Sequence, residues 1–256
     1  MKQTILNKLQ TTEEMHDVTI LYAVESGSRA WGFASVDSDY DVRFIYHHPV
    51  QKYLSLASPE DVIQLPIHED LDFHGWDLYK AGQLLLRSNP SLIEWLFSPI
   101  VYIEQGEIAK KMRDWALNQV SLKRLGYHYL SMARGNYKNF MMNQQEVSAK
   151  KYMYLLRALF CLHWLDQHQS VPPVSVWQLL SNISLASWCI ERFHDLVEKK
   201  MVQESLLVPA DEQFHSWIMN EIDQFEEKIA SFPDHKTQVS QIDEMILSQL
   251  GFVYNR

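Results

Sequence analysis

Two cysteines, Cys161 and Cys189, are all that the 256 residues contain. Neither sits in a CxxC or Cys/His spacing, which excludes a disulfide scaffold and a zinc ribbon. Such usage fits a reducing compartment, so a cytoplasmic protein is expected. Long apolar runs are also missing: Glu94 interrupts the stretch 91–103 and Arg157 the stretch 152–165. Nothing approaches the ~20 apolar residues of a membrane span, and the first nine residues lack the apolar stretch of a signal peptide. No membrane partner is expected. Positive charge is in short supply, with 23 Lys and Arg against 32 Asp and Glu for a net charge of −9. That excludes a strongly basic nucleic-acid-coating protein. HExxH, Gly-x-Ser-x-Gly, zinc-type His spacing, internal repeats and low-complexity tracts are absent.

What is present is a globular composition, 46% hydrophobic, 21% charged and 12% aromatic, in a length that admits one large domain or two ordinary ones. Charge is unevenly placed. From Lys110 to Arg157 basic residues dominate, with Asp114 and Glu146 the only acids, whereas acids dominate from Glu191 to Glu227. A polyanion should meet the middle of the chain.

Residues 4–16 read as a short leading helix. The β-branched and aromatic run 18–24 reads as a buried strand, and Glu25-Ser-Gly-Ser after it as a turn. A short helix is expected from Ser28 to Phe33. Asp37-Ser-Asp-Tyr-Asp-Val-Arg-Phe-Ile-Tyr starts with turn formers and becomes a second strand, whose period of two places Asp39, Asp41 and Arg43 on one face. The stretches 62–65 and 71–74 supply further strands. Asp77 suits the N-cap of a helix over 78–87, Pro90 opens the next, and beyond Lys110 almost everything reads as helix. Val171-Pro-Pro and Ser231-Phe-Pro-Asp read as loops. The class is therefore α+β, with a sheet-bearing domain over 1–115 and an all-helical domain over 116–256.

The stretch 25–43 carries the chemistry. Gly27-Ser28 follows a buried strand and precedes a helix, where free backbone N–H groups and a glycine let a phosphate approach. Asp39 and Asp41, one residue apart on a strand, bring two carboxylates to the same face. They repel unless one is protonated or a divalent cation fills the gap. Magnesium favours a few carboxylates together with phosphate oxygens, so this Asp-x-Asp beside a phosphate-cradling turn is chemically coherent. An EF-hand reading of Asp37-x-Asp39-x-Asp41 fails: the loop needs Gly sixth and Glu twelfth, and those positions hold Val42 and His48.

Gly27-Ser28-x-Ala30-x-Gly32 followed by Ser38-Asp39-x-Asp41 resembles the signature of the DNA polymerase β-type nucleotidyltransferase superfamily. The longer strings 25–33 and 37–46 resemble more narrowly the predicted nucleotidyltransferases associated with RNA repair. Matches continue at Tyr53-Leu-Ser-Leu, Gly75-Trp-Asp-Leu, 88–96, 98–102 and 150–157, so the resemblance spans roughly residues 20–165. It implies a minimal polymerase β-like domain, a small mixed sheet with helices, and a helical domain that completes the nucleotide and acceptor site.

The resemblance further implies that Gly27 and Ser28 hold the β- and γ-phosphates of a nucleoside triphosphate, with Ser38 also at the nucleotide. Asp39 and Asp41 would bind Mg2+, or Mn2+ in its place. A third carboxylate from a later strand falls on Asp72, with Asp70 and Asp77 as alternatives. Lys150, Tyr154 and Arg157 share one helix face at i, i+4 and i+7, with Lys151 one step around, and would face the triphosphate. Arg29, Arg43 and Lys138 are further candidates for it. The expected reaction moves a nucleoside monophosphate to an acceptor hydroxyl by two-metal phosphoryl transfer with release of pyrophosphate. RNA, as tRNA or a broken end, is the first choice of acceptor. Two alternatives stand beside it: a protein acceptor, as in antitoxin-like nucleotidyltransferases, and a HEPN-like ribonuclease using Arg157 and His163 in the helical half.

Overall fold

The structure is a computed structural model that describes residues 1–67, 70–202, 206–235 and 238–252. It divides into two compact units.

The first unit comprises Met1–Ala30, Asp39–Val120 and His235–Arg256. Its centre is a five-stranded mixed sheet in the order β3-β4-β2-β1-β5, formed by β1 (Thr19–Glu25), β2 (Tyr40–His47), β3 (Val62–Gln64), β4 (Leu71–Asp77) and β5 (Val101–Glu104). β1 pairs antiparallel with β2 and with β5, β4 runs parallel to β2, and β3 closes the other edge antiparallel to β4. Apolar residues in alternation build one face. Val42, Phe44 and Tyr46 of β2 and Leu71 and Phe73 of β4 join Ile5 and Leu9 of α1 (Lys2–His16) in one buried cluster. Gly75 belongs to that face because a Cβ there would run into the Phe44 ring. Both strands place their polar residues on the other face: Asp41 and Arg43 on β2, and Asp72, His74 and Trp76 on β4, are half-buried.

β4 passes directly into α4 (Leu78–Leu86), whose first turn is capped by the Asp77 carboxylate accepting from the Tyr79 N–H at 2.7 Å. α5 (Pro90–Leu96) starts with Pro at its first position, and Asn89 Oδ1 accepts from the Leu92 N–H at 3.0 Å, an arrangement in which proline sacrifices no helix bond. α6 (Ile108–Gln119) and α12 (Val239–Gln249) complete the unit; Ile242 and Ile246 of α12 pack against Gly82 of α4.

The second unit comprises Trp31–Ser38 and Ser121–Asp234. Its main elements are α7 (Leu122–Phe140), α8 (Ala149–His168), α10 (Ser187–Val202) and α11 (Glu212–Lys228), with the short α9 (Val176–Leu180). α8 is its spine, with buried residues on every side. To the helices expected from the sequence the structure adds a two-stranded ladder of β6 (Glu146–Ser148) and β7 (Leu207–Pro209). These two three-residue strands were not expected from the sequence. The units are not contiguous halves: residues 31–38 belong to the helical one, and α12 returns to the sheet.

Candidate functional site

The site is built where β1 ends and where β2 and β4 begin. Gly27 opens α2 (Gly27–Trp31) at φ +61°, a left-handed conformation suited to glycine. A Cβ at this position would overlap Asp41 Oδ2, so two separate constraints demand glycine here. The Ser26 N–H donates to the Asp41 carbonyl at 2.8 Å, tying the turn to the start of β2. Ser28 is buried.

Asp41 and Asp72 are register partners on the parallel pair β2/β4. The Arg43 guanidinium lies between them, its Nη2 2.8 Å from Asp41 Oδ1 and 2.7 Å from Asp72 Oδ2. Its Nη1 donates to the Asp72 carbonyl at 3.1 Å. Sequence spacing pointed to protonation or a metal ion between Asp39 and Asp41; in the structure it is Asp41 and Asp72 that lie together, and Arg43, two residues along the same face, supplies positive charge to both. Asp39 stands one residue before β2, exposed, with its carbonyl accepting from Arg29 Nε at 3.1 Å. The Arg29 guanidinium lies over the Tyr40 ring, 3.6 Å from its centroid.

Behind the pair sits Glu25, 1% exposed. Its Oε1 accepts from the Asp41 N–H at 2.7 Å and its Oε2 from the Tyr102 hydroxyl. Burial raises its pKa above the usual glutamate value. His74, next on the polar face of β4, has its pKa lowered, chiefly by burial and then by Arg43. Asp77, an alternative third carboxylate in the sequence, caps α4 and accepts from the Tyr53 hydroxyl, and Asp70 is exposed with its carbonyl accepting from the Tyr40 N–H.

Among the described residues no group of three or more His, Cys, Asp and Glu side chains is arranged as a metal centre. The oxygen-only donors nevertheless suit a hard divalent cation. Asp72 Oδ1 supports this, being buried without a hydrogen-bond partner among the described residues, which is costly for a carboxylate unless something positive reaches it.

The remaining sequence candidates lie in the helical unit. Ser38 is buried; its hydroxyl pairs with Ser35 Oγ at 2.9 Å, accepts from the Ser35 N–H at 2.9 Å and accepts from Lys200 Nζ at 3.0 Å. Lys200, fully buried on α10, also donates to the Phe33 carbonyl at 3.2 Å. On α8 the Lys150 ammonium is 6.0 Å from the Tyr154 ring centroid, and that of Lys151 is 4.1 Å from the Phe140 ring centroid. Tyr154 meets Trp31 edge-on at 5.0 Å. Arg157, 3% exposed, stacks on the same indole at 4.5 Å and donates to the Val174 carbonyl at 3.2 Å. His163 Nε2 lies 2.8 Å from Glu221 Oε2. Arg157 and His163 thus engage separate partners, and no observation favours the ribonuclease reading.

Sequence reasoning missed the bracket of Glu25 and Tyr102, the lock formed by Lys200, and the bridging role of Arg43. Only Arg43 left a signal, its place two residues after Asp41.

A glycine-serine turn closing one strand, acidic residues opening the next, and a third carboxylate opposite them on a parallel neighbour fit the class of polymerase β-type nucleotidyltransferases. The chain has 38% identity over 256 residues to the uncharacterized protein YcgL of Bacillus subtilis (strain 168), covering 99% of this chain and 98% of that protein. It belongs to the RNA repair pathway DNA polymerase beta family, which it matches over residues 1–248. Among solved structures it has a loose similarity, TM-score 0.34 at 12% identity, to a nucleotidyltransferase-like protein from Exiguobacterium sibiricum 255-15, covering 97% of this chain and 79% of that one. Among the described residues no helix is long and apolar enough to cross a membrane.

Proposed function

We propose that the protein transfers a nucleoside monophosphate from a nucleoside triphosphate to a hydroxyl of RNA, releasing pyrophosphate. The observation that carries the reading is the register of Asp41 against Asp72 beside the Gly27 turn. The family, described by an RNA repair pathway, supports RNA as the acceptor.

Asp39, Asp41 and Asp72 would hold Mg2+ or Mn2+, which neutralises charge developing at the transferred phosphoryl group. The chain's own groups do the rest. The Gly27-Ser28 turn offers backbone N–H groups to the β- and γ-phosphates, and the missing Cβ keeps the space against Asp41 clear. Arg43 holds the two carboxylates in one orientation. Asp72, the register partner of Asp41, would take the proton of the attacking hydroxyl.

The test is to incubate the protein with each labelled NTP, Mg2+ or Mn2+, and either RNA bearing free ends or cell lysate. Label should pass to RNA and stay absent with folded Asp41→Asn and Asp72→Asn proteins. Transfer that persists in both variants overturns the site, and label that settles on protein alone overturns the choice of RNA.

A further inference from the structure

The polar face of the sheet does not stop at the carboxylates. Along β4, Asp72, His74 and Trp76 follow at alternate positions and are all half-buried. Residues two apart on a strand lie roughly 7 Å apart on one face. His74 is therefore one such step from Asp72, and Trp76 is two. The Trp76 indole stacks on Trp95 of α5 at 3.7 Å and 17°, and His74 stands edge-on to both, at 5.8 and 6.2 Å. Trp95 is 4% exposed and backs the arrangement. At the neighbouring edge strand, Gln64 pairs with His74 and is exposed. Its amide offers both a donor and an acceptor. Three aromatic rings in mutual contact, one step from a catalytic carboxylate and with an amide at the rim, are the parts of a base-stacking platform.

The sheet order decides which base. In β3-β4-β2-β1-β5 the Gly27 turn lies on the β1 side of Asp41, and the aromatic residues lie on the β4 side. In-line transfer needs the leaving pyrophosphate and the attacking hydroxyl on opposite sides of the reacting phosphorus. With the triphosphate on the β1 side, the β4 side belongs to the acceptor.

We propose that His74 and Trp76, backed by Trp95 and edged by Gln64, form the subsite for the terminal nucleobase of a single-stranded RNA acceptor, placing its hydroxyl at Asp72. The proposal rests on the nucleotidyltransferase reading of the Asp41/Asp72 site and adds the acceptor's position.

Binding and turnover are measured separately so that the two ideas fail separately. The first measurement is fluorescence anisotropy of labelled RNA oligonucleotides on wild-type protein without NTP, comparing an ordinary 3′-terminal residue with an abasic one. A stacked base contributes enough that the abasic end, and the Trp76→Leu and His74→Ala proteins, should each bind about tenfold more weakly. Abasic RNA should lose nothing further on those variants. Gln64→Ala, on an exposed residue, should change the preference among terminal bases. The second measurement is steady-state transfer, in which the variants should raise KM for RNA and leave KM for NTP unchanged. Circular dichroism and melting establish that each variant is folded, and His74→Ala carries the test should Trp76→Leu fail to fold. Equal affinity for ordinary and abasic ends overturns the subsite, as does unchanged RNA affinity in folded variants. A rise confined to KM for NTP assigns the platform to the nucleotide and overturns it likewise. Base-dependent RNA binding without any transfer would leave the subsite standing and defeat the catalytic reading.

Discussion

Asp41 and Asp72 face each other across two parallel strands, and one guanidinium nitrogen of Arg43 touches both carboxylates. Asparagine has the same heavy-atom shape as aspartate, so replacing either residue by it preserves shape and removes charge. Asp41→Asn and Asp72→Asn should each lower label transfer on the order of 10²–10³-fold, the scale of removing one electrostatic stabiliser. Their melting temperatures should move little, because asparagine keeps the shape and each variant leaves Arg43 one carboxylate partner. Initial rates at saturating NTP, set beside melting curves, check both halves.

Arg43 competes with any cation that enters. Without it the two carboxylates repel, and a divalent ion gains what the arginine loses. Arg43→Met should therefore melt lower than wild type in EDTA and be raised further than wild type by millimolar Mg2+, since a ligand stabilises by its affinity for the folded state. Equal Mg2+-dependent shifts in the two proteins would count against a metal between these residues.

Gly27→Ala meets two obstacles at once. The left-handed backbone costs a residue with a Cβ roughly 1–2 kcal/mol, and the added methyl overlaps Asp41 Oδ2. The variant should fold with a lowered melting temperature and lose nearly all transfer activity. Wild-type activity in Gly27→Ala would show that the turn does not approach the reacting groups.

Asp77 supplies the pH dependence. Burial raises its pKa above the usual aspartate value, while Tyr53 and the α4 N–H groups partly offset this. A carboxyl whose pKa is raised on folding stabilises the protein most below its unfolded pKa, and that contribution is lost as pH rises through the folded value. Asparagine caps helices as well as aspartate does and does not titrate. The melting temperature of Asp77→Asn should thus gain on wild type as pH rises from about 4 through the folded pKa and then run parallel. Asp77→Ala, lacking the cap, should be less stable than Asp77→Asn by about 1 kcal/mol at every pH. Melting curves across that range, taken on all three proteins, decide it.

Ser38 and Lys200 test whether a motif serine acts through structure. Lys200→Ala strips a donor from the Phe33 carbonyl and from the Ser35 and Ser38 hydroxyls. Removing the donor to the buried Phe33 carbonyl costs about 1–3 kcal/mol, so this variant should unfold more readily than Ser38→Ala. Chemical denaturation measures both. Equal stability of Lys200→Ala and wild type would remove the lysine from the framework of the 33–38 segment.

Strands β1, β2 and β4, the leading helix, the Asp77 cap and the proline start of α5 were all legible locally. Each rests on a run of β-branched residues, an alternation or a capping side chain. The short β3 was legible too, as the stretch 62–65, but β5, β6 and β7 were not, because strands of three or four residues take much of their identity from a partner. Asp39 shows the limit of spacing. The alternation that put it with Asp41 on a strand begins one residue later, at Tyr40, and leaves Asp39 in the preceding segment.

The sequence alone determined the family: a glycine-serine turn, an Asp-x-Asp after it and the strings that resemble one nucleotidyltransferase family lie close together in the chain, where local geometry governs. The partners of those groups were decided only by the tertiary structure. Asp41 meets Asp72 and Glu25, and Ser38 meets Lys200, across 31, 16 and 162 positions of chain. Contacts of that kind depend on strand register and helix packing. A periodic pattern says which face a residue takes, but not which distant residue will share it.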